Sequence, residues 1–156
     1  MAREEEMGQE LIKNFDFLDG KIRVPRERRI FIDDVPVNKF EEVLEFLKNK
    51  IYFNMLCTIT GLDDGNTLGI IYHLANKEGI VINIKIRVPK DKPKIKTIIE
   101  YFPSAEFYER ELVDLFGIEV EGLPEGTRYP LPDDWPDGQY PLRKDWKSDV
   151  LKKESE

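Results

Sequence analysis

Apolar residues recur at two spacings along this chain, and each change of spacing marks a new element. Met7, Leu11, Ile12 and Phe15 fall near one face of a short amphipathic helix over residues 5–17. Residues 21–35 read as extended, with KIRVP and RRIFIDDV separated by a charged turn. Phe40, Val43, Leu44 and Leu47 follow the i, i+3, i+4, i+7 rule, so residues 37–49 form a second helix. Asn38 followed by Glu41 gives it the pattern of a capping box, and Lys39, Glu42, Glu45, Lys48 and Asn49 form its polar face.

The spacing then drops to two. In residues 51–60, Ile51, Phe53, Met55, Cys57 and Ile59 share one side of a pleat. LDDGN supplies turn residues, LGIIYHLA follows, and KEG makes a second turn. In residues 80–88, Ile80, Ile82, Ile84, Ile86 and Val88 alternate with Val81, Asn83, Lys85 and Arg87, giving one apolar and one mostly polar face. Short connections between consecutive strands imply antiparallel hairpins. A sheet with one wet face needs helices on the other, so the expected class is α+β, with a mostly antiparallel sheet and helices on one face.

Residues 95–102 read as helical up to Pro103. Ser104 is placed to cap a further helix that runs to Phe116, with Glu106 in its first turn and Tyr108, Leu112, Leu115 and Phe116 on one side. Gly117 is placed to end it in a left-handed turn. After Val120 neither period continues. Five of the ten prolines fall between 124 and 141, and both tryptophans, Trp135 and Trp146, lie in the same region with Tyr129 and Tyr140. The expected organisation is an α+β domain over 1–120 followed by an extended, proline-rich C-terminal arm over 121–156.

Composition narrows the function. A chain of 156 residues suits one domain, and its charged content of 35% is high, a trait shared with thermophile proteins that build surface ion-pair networks. A net charge of −7 argues against nucleic acid and against anionic lipid as main partners. No apolar run is long enough to span a bilayer, and MAREEEMGQE lacks a signal-peptide core, so the expected location is cytoplasmic. With one cysteine, Cys57, and one histidine, His73, the chain has too few ligands for an iron–sulfur cluster, and a zinc site would need other donors. Packing is the plain role expected for both residues.

The tail is too aromatic for a solvated linker and too long for an ordinary loop. Proline lowers the entropy lost on docking, and Trp, Tyr and Arg are the residue types that dominate binding hot spots. Composition alone leaves two destinations open, a partner surface or the chain's own sheet. In the helix before it, Glu106, Arg110 and Asp114 form a stripe at i, i+4 spacing, flanked by Glu109 and Glu111. A carboxylate-rich helix could serve acid–base or divalent-metal chemistry. A solvated face of weak ion pairs explains the same spacing more simply. Arg110 could also fork onto a carboxylate of a partner.

These residues carry a resemblance. Glu109-Arg110-Glu111-Leu112-Val113-Asp114-Leu115-Phe116-Gly117 resembles the signature of the 30-kDa subunit of respiratory complex I, and Ile118, LPDDW (131–135) and PLRKDW (141–146) continue it. Leu123, where the quinone-reductase form carries His or Lys, and Thr127-Arg128, where it carries two basic residues, depart from that form. The insertion PDGQY resembles the version in membrane-bound nickel–iron hydrogenases and related ion-pumping complexes.

The resemblance implies a non-catalytic subunit of a membrane-associated oxidoreductase, of the NADH:quinone or nickel–iron hydrogenase type. It implies no cofactor on this chain, with iron–sulfur clusters, and in the hydrogenase type a nickel–iron centre, in partner subunits. It implies a place in the cytoplasmic arm, peripheral to the membrane, against the hydrogenase-like large subunit and the iron–sulfur subunit, with the arm wrapping its neighbour. Residues expected at the partner contact are Glu109, Arg110, Glu111 and Asp114 on the helix, and Arg128, Tyr129, Asp133, Asp134, Trp135, Tyr140, Arg143, Lys144, Asp145 and Trp146 on the arm. The competing reading is a stand-alone enzyme built on the carboxylates of helix 104–116. Another is an adaptor outside any redox complex.

Overall fold

The computed structural model describes residues 2–149. Its elements run α1 (Ala2–Asn14), a single 3-10 turn (Asp16–Leu18), β1 (Ile22–Arg26), β2 (Arg29–Ile32), α2 (Val37–Asn49), β3 (Met55–Asp63), β4 (Thr67–Ala75), β5 (Val81–Pro89), β6 (Lys94–Lys96), α3 (Ala105–Phe116) and β7 (Glu119–Glu121). Five strands form one sheet in the order β1-β2-β5-β4-β3, while β6 and β7 form a separate pair. The protein is a mixed α+β fold with a mostly antiparallel sheet and three α-helices among the described residues.

By internal contacts the chain divides at Thr60/Gly61, Gly69/Ile70 and Arg87/Val88 into two units. The first holds α1, β1, β2, α2 and most of β3–β5. The second holds the tip that joins β3 to β4, the end of β5, and everything from β6 onward.

In the first unit the apolar stripes go where their periods direct them. Met7 and Leu11 of α1 and Phe40, Val43, Leu44 and Leu47 of α2 are buried, and the Phe40 ring lies 4.3 Å from that of Tyr72 on β4. Ile82, Ile84 and Ile86 bury the apolar face of β5. On its polar face a hydrogen-bonded row crosses the strands. Asn83 donates its amide N–H to Ile30 O (3.0 Å), which turns its oxygen toward His73 Nδ1 (2.6 Å). His73 Nδ1 therefore carries the proton, and Nε2 meets Thr60 Oγ1 at 2.9 Å. The histidine packs as a bonded polar bridge between strands, whereas Cys57, also expected to pack, is exposed.

Other expectations are also corrected. β2 and β5 run parallel, in register Ile30↔Ile82 and Ile32↔Ile84, because α2, β3 and β4 intervene and return the chain in the same direction. β3 begins at Met55, which is exposed, so residues 51–60 do not share one pleat. Tyr52 breaks it with φ 60, and Ile51 and Phe53 bond instead to carbonyls of α2. α2 starts at Val37 after Pro36, without a side-chain cap, so Asn38 is already helical. Ser104 does stand at the N-cap of α3, as expected, but with αR backbone and no side-chain capping bond; the Ala105 and Glu106 N–H groups go to Phe102 O and Pro103 O.

In the second unit the helix expected over 95–102 is absent. Lys94–Lys96 is strand β6, paired in parallel with β7 through Ile95↔Val120. Two features outside the local pattern override the helix. β7 offers a ladder, and the Glu109 carboxylate captures the Ile98 N–H (2.8 Å) and the Thr97 hydroxyl (2.6 Å). Ile95, Ile98, Phe102, Leu112, Phe116, Ile118 and Val120 form the core here. Gly61 is required because a Cβ there would collide with the Phe116 ring.

Candidate partner-docking interface

α3 ends as its residues dictate. Gly117 adopts φ 69 and ψ 30, and its N–H and that of Ile118 return to Val113 O and Leu112 O. The last carbonyls of a helix need further donors. Leu142 N–H supplies one to Leu115 O (3.1 Å), and the Arg143 guanidinium supplies one to Phe116 O (2.7 Å), placing a cation at the negative helix end. A Cβ at Gly117 would strike the Tyr140 ring, which lies under Arg143 at 4.9 Å. From Gly122 to Ser148 neither helix nor strand forms, yet the segment is bonded to α3 at several points.

The stripe on α3 is part of this attachment. Arg110 binds Glu106 (2.9 Å) and the Pro124 carbonyl (2.7 Å). Asp114 accepts the Leu131 N–H (3.2 Å) and faces Arg128 Nε at 3.6 Å. Arg128 also donates to Trp135 O (2.6 Å) and to Asp137 (3.1 Å). Glu109 is fully buried, and burial pushes its carboxyl above its ordinary range against the pull of Thr97 and Ile98. Glu111 is half-buried. Glu106, Glu109 and Asp114 of α3 thus turn to separate partners, and among the described residues no group of three or more His, Cys, Asp or Glu is gathered to hold a metal.

The segment fixes its aromatic rings with equal economy. Trp135 Nε1 donates to Gln139 O (2.8 Å) and Trp146 Nε1 to Gln139 Oε1 (3.0 Å), holding the two indoles 6.0 Å apart. Tyr129 packs edge-on to Phe107 at 5.8 Å, and both are exposed, as is Leu142. Asp133 and Asp134 are exposed, and neither pairs with a cation among the described residues. A cavity of about 330 Å³ opens between this segment and α3, lined by Asp114, Arg128, Leu131, Trp135 and Tyr140 among others. None of residues 121–149 is buried.

Sequence reading missed three residues here. Asp63, at the end of β3, has a side chain only 1% exposed. Its Oδ1 accepts the Gly65 N–H (2.9 Å), and its Oδ2 accepts Lys90 Nζ (2.7 Å) and the Lys144 N–H (2.8 Å). Lys90 reaches on to Asp145 at 3.0 Å. Gln139 is the third. Asp63 reads in sequence as a turn residue, and nothing local shows that its second oxygen is used 81 residues away.

A mixed α+β fold with this helix and its attached aromatic segment is the form of a known family of redox-complex subunits. Residues 34–150 match the family described as respiratory-chain NADH dehydrogenase, 30 Kd subunit, and the chain belongs to it. Over 131 residues it is 36% identical to the C subunit of F(420)H(2) dehydrogenase from Methanosarcina mazei, covering 82% of this chain and 80% of that one. It is 37% identical over 89 residues to the beta subunit of the membrane-bound hydrogenase from Pyrococcus furiosus, covering 54% of this chain and 51% of that one. It is 35% identical over 117 residues to the C/D subunit of NADH-quinone oxidoreductase from Phocaeicola vulgatus, covering 72% of this chain but only 22% of that longer one. Among solved structures it superposes on a chain of the membrane-bound sulfane sulfur reductase, an archaeal respiratory membrane complex. The TM-score is 0.84 at 30% identity, covering 97% of this chain and 89% of that one. The named relatives are subunits of larger complexes, and among the described residues no helix is long and apolar enough to cross a membrane.

Proposed function

We propose that this chain is a non-catalytic assembly subunit of a membrane-associated oxidoreductase, and that residues 121–149 are an extended arm that docks on a hydrogenase-like large subunit. One observation carries the reading: an arm with two tryptophans and two tyrosines is bonded in place on α3, yet none of its residues is buried. Ordered aromatic surface left in water is unfavourable by roughly 25 cal/mol per Å² relative to burial, so a partner that covers it gains that free energy. Because the arm is already ordered, little entropy remains to be lost on docking. In the C/D relative the matched region accounts for only 22% of the polypeptide, which fits a chain like this one working beside a much larger polypeptide.

The intrachain bonds sort the expected contact residues. Glu109, Arg110, Asp114, Arg128 and Arg143 hold the arm. Tyr129, Asp133, Asp134 and the side chain of Lys144 are exposed for the neighbour, and the half-buried rings of Tyr140, Trp135 and Trp146 keep part of their surface open to it. Glu111 and Asp145 lie at the margin. The iron–sulfur subunit touches the same assembly, redox centres sit in the partners, and the chain is held at the cytoplasmic face of the membrane through them. The electron acceptor is a property of those partners.

The test is isolation of the tagged chain from gently solubilised membranes, beside Trp135→Ala. A hot-spot tryptophan contributes about 2 kcal/mol or more, roughly a 30-fold loss of affinity. The wild-type chain brings down a metal-containing large subunit, and the variant brings down far less of it. Equal recovery with both chains would sink the docking role.

A further inference from the structure

Asp63 divides its two oxygens between two tasks. Oδ1 closes its own turn through Gly65, whose φ of +102 suits glycine. Oδ2 has no part in that turn. It takes the ammonium of Lys90 at the end of β5 and the backbone N–H of Lys144 in the arm, and Lys90 then binds Asp145, the next arm residue. A carboxylate 1% exposed is retained only where such donors replace its water. The donors it has found fix the register of residues 144–145, immediately before Trp146. Trp146 is tied through Gln139 to Trp135, so this anchor sets the position of the indole pair together with the bonds of residues 142 and 143 to α3 and of Arg128 to Trp135 O.

We propose that Asp63, with Lys90, is the positioning residue of the docking surface, setting the C-terminal end of the arm so that both indoles are presented together to the partner polypeptide. The proposal rests on the docking role of the arm. The pair does not touch the partner. It acts by holding Lys144 and Asp145, and it is built from residues far in sequence from the family motif on α3.

Asp63→Asn separates the two tasks. Its remaining oxygen can still accept the Gly65 N–H, while its NH2 group faces two donors, the Lys90 ammonium and the Lys144 N–H. The turn survives and the arm contact does not. In the full chain, amide exchange at Lys144 and Leu142 rises by about tenfold or more, while Gly65 stays protected. Tryptophan emission shifts red, and it reports the arm alone because Trp135 and Trp146 are the only tryptophans. Recovery of the large subunit falls by about tenfold. Lys90→Gln, which keeps the Asp63 carboxylate and removes the link to Asp145, gives the same changes to a smaller extent and serves if Asp63→Asn unfolds. Unchanged exchange and emission in both variants would overturn the anchor. A freed arm with undiminished recovery of the partner would overturn its positioning role. Trp135→Ala run in parallel separates the two ideas. If that variant also keeps the partner, the docking role has failed; if it loses the partner while both anchor variants keep it, only the positioning role has failed.

Discussion

A carboxylate in an apolar setting persists only if donors replace its water, and Glu109 meets that condition with the Ile98 N–H and the Thr97 hydroxyl. Glu109→Ala leaves a buried N–H without a partner and should cost about 1–3 kcal/mol in denaturant unfolding. Glu109→Gln can accept from Ile98 and donate to Thr97, so it should cost less than about 1 kcal/mol. Burial raises this carboxyl, so the folded state holds its proton more tightly than the unfolded state does. The stability of the wild-type chain relative to Glu109→Gln should therefore fall as pH rises through the carboxylate range. Gly117 is constrained twice, by φ 69 and by the Tyr140 ring against it. Gly117→Ala should cost roughly 1–2 kcal/mol for the left-handed backbone alone, a fall in Tm of about 4 °C for a domain of this size. An unchanged Tm would contradict both the left-handed turn at Gly117 and the Tyr140 ring against it.

At the scale of elements, the Asp63 anchor has a signature in acid. The Lys90 ammonium, with the N–H groups of Lys144 and Gly65, holds the Asp63 carboxyl at about 2. A depressed carboxyl stabilises the fold fully above its unfolded value near 4 and loses that contribution as pH falls toward 2. The stability gap between wild type and Asp63→Asn should be wide at pH 5 and close as pH approaches 2, which melting curves across that range would show. Elements defined by a long, clean period were legible in sequence: α2, β4, β5 and α3 with its glycine stop. The helix expected at 95–102 was not, because β7 and Glu109 supply partners that no local window contains. Short strands such as β7, and turns such as Tyr52, leave too few residues for any period to register.

For the whole molecule, the motif residues that carry the family resemblance prove to have two employments. Arg110, Asp114, Arg128 and Arg143 bond within the chain, whereas Asp133, Asp134 and Tyr129 are exposed and Trp135, Tyr140 and Trp146 are half-buried. Sequence could place both sets in one segment but could not divide them, since spacing does not reveal which charge meets which carbonyl. The anchor at Asp63 was hidden for the same reason. The most direct measurement is hydroxyl-radical footprinting of Tyr129, Trp135, Tyr140, Leu142 and Trp146 in the free chain and in the complex isolated with it. Strong reactivity in the free chain and protection of Trp135 and Trp146 in the complex is the predicted result. Equal reactivity of the two indoles in both states would contradict the account.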